Sequence, residues 1–308
     1  MTIRRIDDPA FPSIVTVGCA NFQSLPRDKA ATVEKLIGVV RVAARQGCDL
    51  VVFPELAIDT WDDCPDCARA HGPCAWHLAA AETADGPASA AIARVARELG
   101  IHVIYGFEER DPDDPGILYN AAAVVAPDGL LGTYRKLHLG IPLETDRFTP
   151  GRALPVFETR LGPIGIQICY DFYCGPELSR LLCLKGARLL VNPTGRSALP
   201  RASDNLMHAT LVRAQENLVY AASANRVGPH GRSSWAGGSI IGGPAFPGFG
   251  DVRARAGDRE ELVVASLNYA QLAAWYDWLP WREWRLGAQR PITELVAREF
   301  EALVSKPR

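Results

Sequence analysis

Twice within the first 106 residues an apolar run, an amphipathic stretch and a second apolar run follow one another, an order that makes the chain cross over the face of a sheet. Residues 14–19 read as a buried strand. Behind them Val33, Leu36, Ile37, Val40, Ala43 and Ala44 recur at the spacing of one helix face; Gly47 stops the helix, and 49–53 form the next strand, broken by Pro54. The β-α-β pattern recurs, with Ala88, Ala91, Ile92, Val95 and Leu99 on a second helix, Gly100 at its end and a strand over 101–106.

Farther along the texture changes to hairpins. Runs 121–125 and 130–134 flank Pro127-Asp128-Gly129, where proline presets φ and glycine accepts a positive one. A strand opened by Gly162-Pro163 runs into Cys169, Pro176 starts a helix, 188–191 form a strand, and a helix over 204–217 precedes a strand over 218–222. The Gly- and Pro-rich stretch 228–250 reads as loops and short hairpins. Two βαβ halves followed by antiparallel elements predict an α/β fold, two sheets with helices outside.

At 308 residues and 48% hydrophobic composition the chain can bury a large core, and one domain over 1–308 with a Trp-rich tail at about 273–308 is expected. A net charge of −2 without a run of like charges gives no footprint for nucleic acid or an anionic membrane. Residues 1–9 lack an apolar core, and no stretch of 18 apolar residues occurs, so a soluble, cytoplasmic protein is expected. Eight cysteines are too sparse for a disulfide scaffold.

Three chemically distinct residues fall at or just past predicted strand ends, where ligands gather in α/β sheets: Glu55, Lys136 and Cys169. Taken singly each has a plain reading, as a surface carboxylate, a solvated lysine and a core thiol like Cys183. Together they supply a base, a cation and a nucleophile. A free thiol is mostly protonated at neutral pH, so it needs a neighbouring cation, a base or a helix amino terminus, and the helix near Pro176 is a candidate for the last. Asp171 reads as a structural hydrogen-bonding residue, His102 and His208 as satisfied structural histidines, and His138 as part of the loop beside Lys136.

The motifs carrying these residues resemble those of the nitrilase superfamily of carbon–nitrogen hydrolases, in order over roughly residues 14–272. They stand as Phe53-Pro54-Glu55, Tyr134-Arg135-Lys136-Leu137-His138 and Gly165-Ile166-Gln167-Ile168-Cys169-Tyr170-Asp171, with Leu118-Tyr119-Asn120 upstream of the second and Arg213-Ala214-Gln215-Glu216-Asn217 downstream of the third. The resemblance implies a four-layer α-β-β-α sandwich with two mixed sheets and outer helices. It further implies catalysis by Glu55, Lys136 and Cys169, support from Glu144 ahead of Phe148-Thr149-Pro150-Gly151, and no cofactor or metal. Tyr170 is expected to help position substrate, with Trp61, Phe172, Tyr173 and Asn192 as pocket candidates.

Tyr170-Asp171 after the nucleophile points toward amidases and carbamoyl hydrolases rather than nitrile hydrolases, which resemble one another in a Trp-Glu pair there. The expected reaction is hydrolysis of a small primary carboxamide through a Cys169 thioester. An N-carbamoyl amine or amino-acid hydrolase is the alternative, a nitrilase the third, and an acyltransferase or amide synthase using the same thioester the reading from another class. The run Phe172-Tyr173-Cys174-Gly175-Pro176-Glu177 lacks the arginine usual in the family, which counts against a substrate carboxylate; Arg147, Arg196 and Arg201 are possible substitutes.

Two features stand apart. Cys64, Cys67, His71, Cys74 and His77 are dense enough in soft ligands to bind zinc, although the expectation here is reduced, partly buried thiols without metal. Trp275, Trp278, Trp281 and Trp284, spaced by three, would line one side of a helix or an extended tail. They would dock on their own subunit or pair subunits, and a homodimer or higher homo-oligomer is expected.

Overall fold

A computed structural model describes residues 5–59, 64–230, 233–248 and 250–305. The first apolar run forms β1 (Ile14–Asn21), and the amphipathic stretch forms α1 (Lys29–Arg45), whose free amide ends are met by the Asp28 side chain accepting from Ala31 N–H. Next come β2 (Leu50–Val52), the short helices α2 (Pro65–Ala70) and α3 (Ala75–Ala80), and α4 (Pro87–Leu99), which ends at Gly100 with φ of 68°. The strands β3 (His102–Arg110), β4 (Leu118–Ala126) and β5 (Gly129–Arg135) form a meander turning at Pro127 and Asp128.

The second half opens with α5 (Pro142–Thr145), β6 (Val156–Phe157), β7 (Ile164–Ile166), α6 (Tyr170–Cys174) and α7 (Pro176–Leu184). It continues through β8 (Leu189–Thr194), α8 (Ala202–Asn217), β9 (Tyr220–Asn225), β10 (Val227–His230), β11 (Ser233–Ala236), β12 (Ile240–Gly243), β13 (Asp251–Arg255) and β14 (Glu261–Asn268). The helices α9 (Tyr269–Trp278), α10 (Trp281–Leu286) and α11 (Arg290–Val304) close the chain.

Among the described residues two six-stranded sheets form, ordered β14-β1-β2-β3-β4-β5 and β13-β12-β9-β8-β7-β6, beside a β10-β11 ribbon. Each has three parallel strands at its centre, β1-β2-β3 in one and β7-β8-β9 in the other. Antiparallel strands flank both sets. Period-two alternation decides which face is shared. Val15, Val17, Leu50, Val52 and Ile104 point into a core that also holds Ile164, Ile166, Leu190, Ala222 and Ile241 of the other sheet. The opposite face, with Val51, Val103 and Tyr105, meets Leu36, Ile37 and Val40 of α1 and Ile92 and Val95 of α4. With α7 on β7 and α8 on β9 and β12, the result is an α-β-β-α sandwich. Each fully buried Leu or Ile contributes roughly 1.5–3 kcal/mol, so the shared core outweighs any single polar tie between the sheets.

Two expectations change. The stretch 228–250 holds a short hairpin, β10–β11, as expected, but also β12, four residues ending in two glycines, which pairs with β9 inside the second sheet. The tryptophan stretch is not one helix, because Leu279 and Pro280 separate α9 from α10; Trp275 and Trp281 are buried, whereas Trp278 is 66% exposed. Among the described residues no helix is long and apolar enough to cross a membrane.

Candidate active site

Glu55 lies three residues past the end of β2 and is fully buried. Its turn approaches β3 closely enough for Gly106 N–H to reach Pro54 O at 3.1 Å, and Leu56 adopts φ of 48°, unusual for a residue with a Cβ. From the other sheet the buried Arg226 guanidinium donates through Nη1 to Glu55 O (3.1 Å) and Leu56 O (2.6 Å). Burial pulls its pKa down to about 10, still leaving it charged at neutrality.

Lys136 directly follows β5. Its N–H donates to Asn120 O and its carbonyl accepts from Gly151 N–H, both at 2.8 Å, so backbone on two sides fixes where the side chain starts. The ammonium donates to Glu55 Oε1 at 2.8 Å and to Glu144 Oε1 at 2.5 Å. Asn120 Nδ2 joins the same two oxygens, at 2.8 Å to Glu55 and 3.1 Å to Glu144, while Glu144 Oε2 accepts from Gly140 N–H. Glu55 Oε2 is the exception, buried and without a hydrogen-bond partner.

Cys169 arrives from the second sheet. β7 stops at Ile166, and Cys169 caps α6 at φ 48°, ψ −101°, a sparsely populated conformation held by its N–H donating to both Pro193 O and Asn192 Oδ1 at 3.0 Å. Asn192 is held in turn by donating to Ser223 Oγ. The helix adjoining the thiol is therefore α6, and the expectation that the helix near Pro176 would serve is corrected.

Asp171 ties the two halves together. Its Oδ2 accepts from Tyr134 hydroxyl (2.6 Å) and Leu137 N–H (3.1 Å), and its Oδ1 from His138 N–H and Nδ1, both at 2.8 Å. A carboxylate two residues past the thiol thus grips the backbone just past the lysine. The three candidate residues come from strand ends of two facing sheets, Glu55 and Lys136 from one and Cys169 from the other, rather than from a single sheet.

The charges are set by burial and by one another. Desolvation raises the Glu55 carboxyl, Lys136 opposes it, and the nearby Glu144 raises it further. Burial alone would lower Lys136, but the charges of Glu55, Cys169 and Glu144 outweigh it and raise its pKa. The Cys169 thiol is pushed up to about 12 by burial first and then by Glu55, with Lys136 pulling the other way. The group rests as a thiol beside a firmly protonated lysine.

Lys136, Glu144, Cys169, Tyr170 and Tyr173 line one cavity of about 570 Å³, together with Gly195, Arg196, His208 and Arg213. Tyr170 stands at its edge, 43% exposed, with its ring over Gly140. Phe172 does not line it: its side chain points into the core between the sheets, so the pocket role expected of it is withdrawn. Asn192 acts on the Cys169 backbone rather than as a wall, and Trp61 lies outside the described residues. Of the three arginine substitutes, Arg196 reaches the cavity, and its guanidinium lies over Tyr173, 5.3 Å from the ring centroid. Arg147 is buried against Glu108, and Arg201 is not part of the lining. His208 reaches the cavity wall, while His102 Nδ1 faces Asp49 O at 3.2 Å inside the fold. A hollow of about 690 Å³ beside Trp275, Trp278 and Trp281 is lined by none of Glu55, Lys136 and Cys169.

Asn120, Arg226 and Gly195 carry parts of this geometry that sequence reasoning missed. The signal available for Asn120 was its place in the motif Leu118-Tyr119-Asn120; its position opposite Glu108 emerges only from the β3–β4 register. Nothing local marks Arg226, because its partners lie about 170 residues away.

Residues 16–277 match the family model described as carbon-nitrogen hydrolase. The chain belongs to the carbon-nitrogen hydrolase family. As a member of the nitrilase superfamily it is a hydrolase acting on carbon–nitrogen bonds other than peptide bonds. It is 35% identical over 256 residues to a nitrilase of Pyrococcus abyssi, covering 80% of this chain and 87% of that one. To the omega-amidase NIT2 of Xenopus tropicalis it is 31% identical over 268 residues, 83% of this chain and 90% of the relative. Among solved structures, Saccharomyces cerevisiae Nit3 superposes with a TM-score of 0.77 at 22% identity, covering 91% of this chain and 98% of Nit3. An amidase from Nesterenkonia sp. superposes at 0.69 and 24% identity, covering 84% and 92%. These two likenesses are of fold.

Proposed function

We propose that this carbon–nitrogen hydrolase cleaves a small primary carboxamide to carboxylate and ammonia through a thioester on Cys169. The observation that carries the reading is the division of labour at Glu55: Oε1 is held by Lys136 and Asn120, while Oε2 is left as a buried acceptor. Burial and the Glu55 charge hold the thiol protonated against the pull of Lys136, so its proton passes to Glu55 as sulfur attacks the amide carbon. The developing oxyanion meets the Lys136 ammonium and the N–H of Tyr170, the first residue of α6, whose amide has no intrahelical acceptor. Collapse breaks the C–N bond, and Glu55 returns the proton to the leaving nitrogen. Water then adds to the thioester, again giving a proton to Glu55, and the acid leaves as sulfur is reprotonated.

Arg196 supports a substrate with an acidic end remote from its amide. It lines the cavity with its guanidinium over the Tyr173 ring, where a carboxylate could meet a cation. The omega-amidase names of several relatives accord with an amide hydrolase. A panel of amides with and without a distal carboxylate, ureido acids and nitriles, followed for ammonia and carbon dioxide, tests the assignment. Ammonia without carbon dioxide is expected, fastest with the carboxylate-bearing amides. Carbon dioxide released with ammonia from the ureido acids, with the amides inert, would replace this reading by a carbamoyl hydrolase. Hydroxamate formed on adding hydroxylamine would report the thioester.

A further inference from the structure

We propose that Cys64, Cys67, Cys74 and His77 form a structural zinc site outside the reaction centre. The ligand atoms of these four residues all lie within 4.8 Å of one another, and Cys64 Sγ and Cys74 Sγ are 3.7 Å apart. A tetrahedral zinc with Zn–S bonds of about 2.3 Å sets its sulfurs roughly 3.8 Å apart. Three sulfurs and one imidazole complete four-coordination and leave no open position for water or substrate, which makes the site structural.

The local fold is built around the ligands. Cys64 caps α2 and Cys74 caps α3, and each helix then supplies a second ligand three residues on, Cys67 and His77. Both helices are six residues long, and Cys67 in α2 and His77 in α3 are the buried side chains they contribute. Apart from Leu78 of α3, which packs against the small cluster of Leu56, Ala81, Leu118 and Phe148, these two short helices bury little apolar surface, and a metal closing the pair would fasten them to the domain. The fifth residue of the sequence pattern drops out. His71 ends α2 in the left-handed conformation, with its side chain 86% exposed and nearest Asp146 at 3.8 Å.

Surrounding groups fit the same reading. Glu108 Oε2 stands 3.0 Å from His77 Nδ1, which puts the proton on Nδ1 and makes Nε2 the metal-binding nitrogen, a carboxylate–histidine–metal arrangement. Glu108 Oε1 accepts from Arg147 Nη1 at 3.0 Å, and this buried guanidinium balances the extra negative charge that three thiolates bring to a dication. Glu108 N–H donates to Asp59 Oδ2 at 2.7 Å, and Glu108 pairs across the strands with Asn120. The metal would therefore fasten the segment that follows Glu55 to the strand whose neighbour holds the Glu55 carboxylate.

The test is metal content of the whole chain, carrying Cys169→Ala to remove the nucleophile as a ligand, expressed with zinc and purified without chelators. About one zinc per chain is expected, falling to near zero in Cys67→Ser and Cys74→Ser and unchanged in Cys48→Ser, a cysteine buried elsewhere. If the ligand variants do not fold, the Cys169→Ala protein stripped and reloaded with cobalt(II) decides: visible absorption of a tetrahedral thiolate site supports the proposal. A zinc-free protein whose thiols are all reduced, a Cys64–Cys74 disulfide, or cobalt uptake without thiolate bands overturns it. None of these readouts depends on which amide the enzyme hydrolyses.

Discussion

Gly106 faces the backbone of Glu55: a Cβ built on the glycine would stand 2.7 Å from Glu55 Cα and 2.6 Å from Pro54 O. The bare backbone of β3 is what lets the carboxylate turn lie against the sheet. Gly106→Ala has only backbone to displace, so a loss of about 3 kcal/mol or more is expected by denaturant titration, with activity falling alongside it. An alanine variant of wild-type stability and turnover would show that the turn has room to shift.

Gly195 should behave differently. A Cβ there would meet Glu55 Oε2 at 3.3 Å and the Arg226 side chain at 3.4 Å, tight contacts with side chains rather than backbone. Gly195→Ala is expected to keep its melting temperature within a few degrees while lowering kcat, because the methyl group shields the one oxygen available to the reaction. Loss of stability without loss of kcat would place the proton acceptor elsewhere.

Asn120→Ala removes a donor shared by two buried carboxylates. Leaving such acceptors short of a donor costs about 1–3 kcal/mol each, and the cost appears in the base that must change protonation during the reaction. A kcat reduced by roughly 10- to 100-fold with a smaller change in KM is expected from steady-state kinetics.

Cys169→Ala should abolish turnover, by about 10⁴-fold or more, and leave the folded state in place, since alanine tolerates the strained φ no worse than cysteine. Turnover is read from ammonia release, and the fold from circular dichroism. Persistent ammonia release would remove the thioester from the mechanism.

The pH profile follows from the direction of the shifts. In the proposed mechanism Glu55 is ionised when it accepts the thiol proton, and burial raises its pKa above the ordinary value near 4.5, so kcat/KM should fall as pH drops through a midpoint above 4.5. Lys136 is raised rather than lowered, so lysine deprotonation should cause no alkaline loss below about pH 10. An acid limb at or below 4.5 would point to a different base.

What could be read from the sequence divides by distance. Both βαβ units were legible because helix and strand periods are local, and Glu55, Lys136 and Cys169 were marked by the strand ends that precede them. The contacts that aim them were not legible. Arg226 reaches Glu55 from just past the end of β9 in the other sheet, and Phe172, although adjacent to Tyr173 in sequence, turns to the core because the short α6 splits the aromatic pair between two faces. β12 was hidden because its two glycines imitate a loop, while the pairing that makes it a strand comes from β9.

Because the Glu55 carboxylate and the Lys136 ammonium ride on one sheet and the Cys169 sulfur on the other, the group proposed to react holds together only while the two layers keep their mutual alignment. Asp171, reaching from the thiol's helix to the amides of Leu137 and His138, acts as the registration pin. Slippage between layers that left each hydrogen-bonded ladder whole would still silence the enzyme, so heat should extinguish catalysis before it erases strand structure.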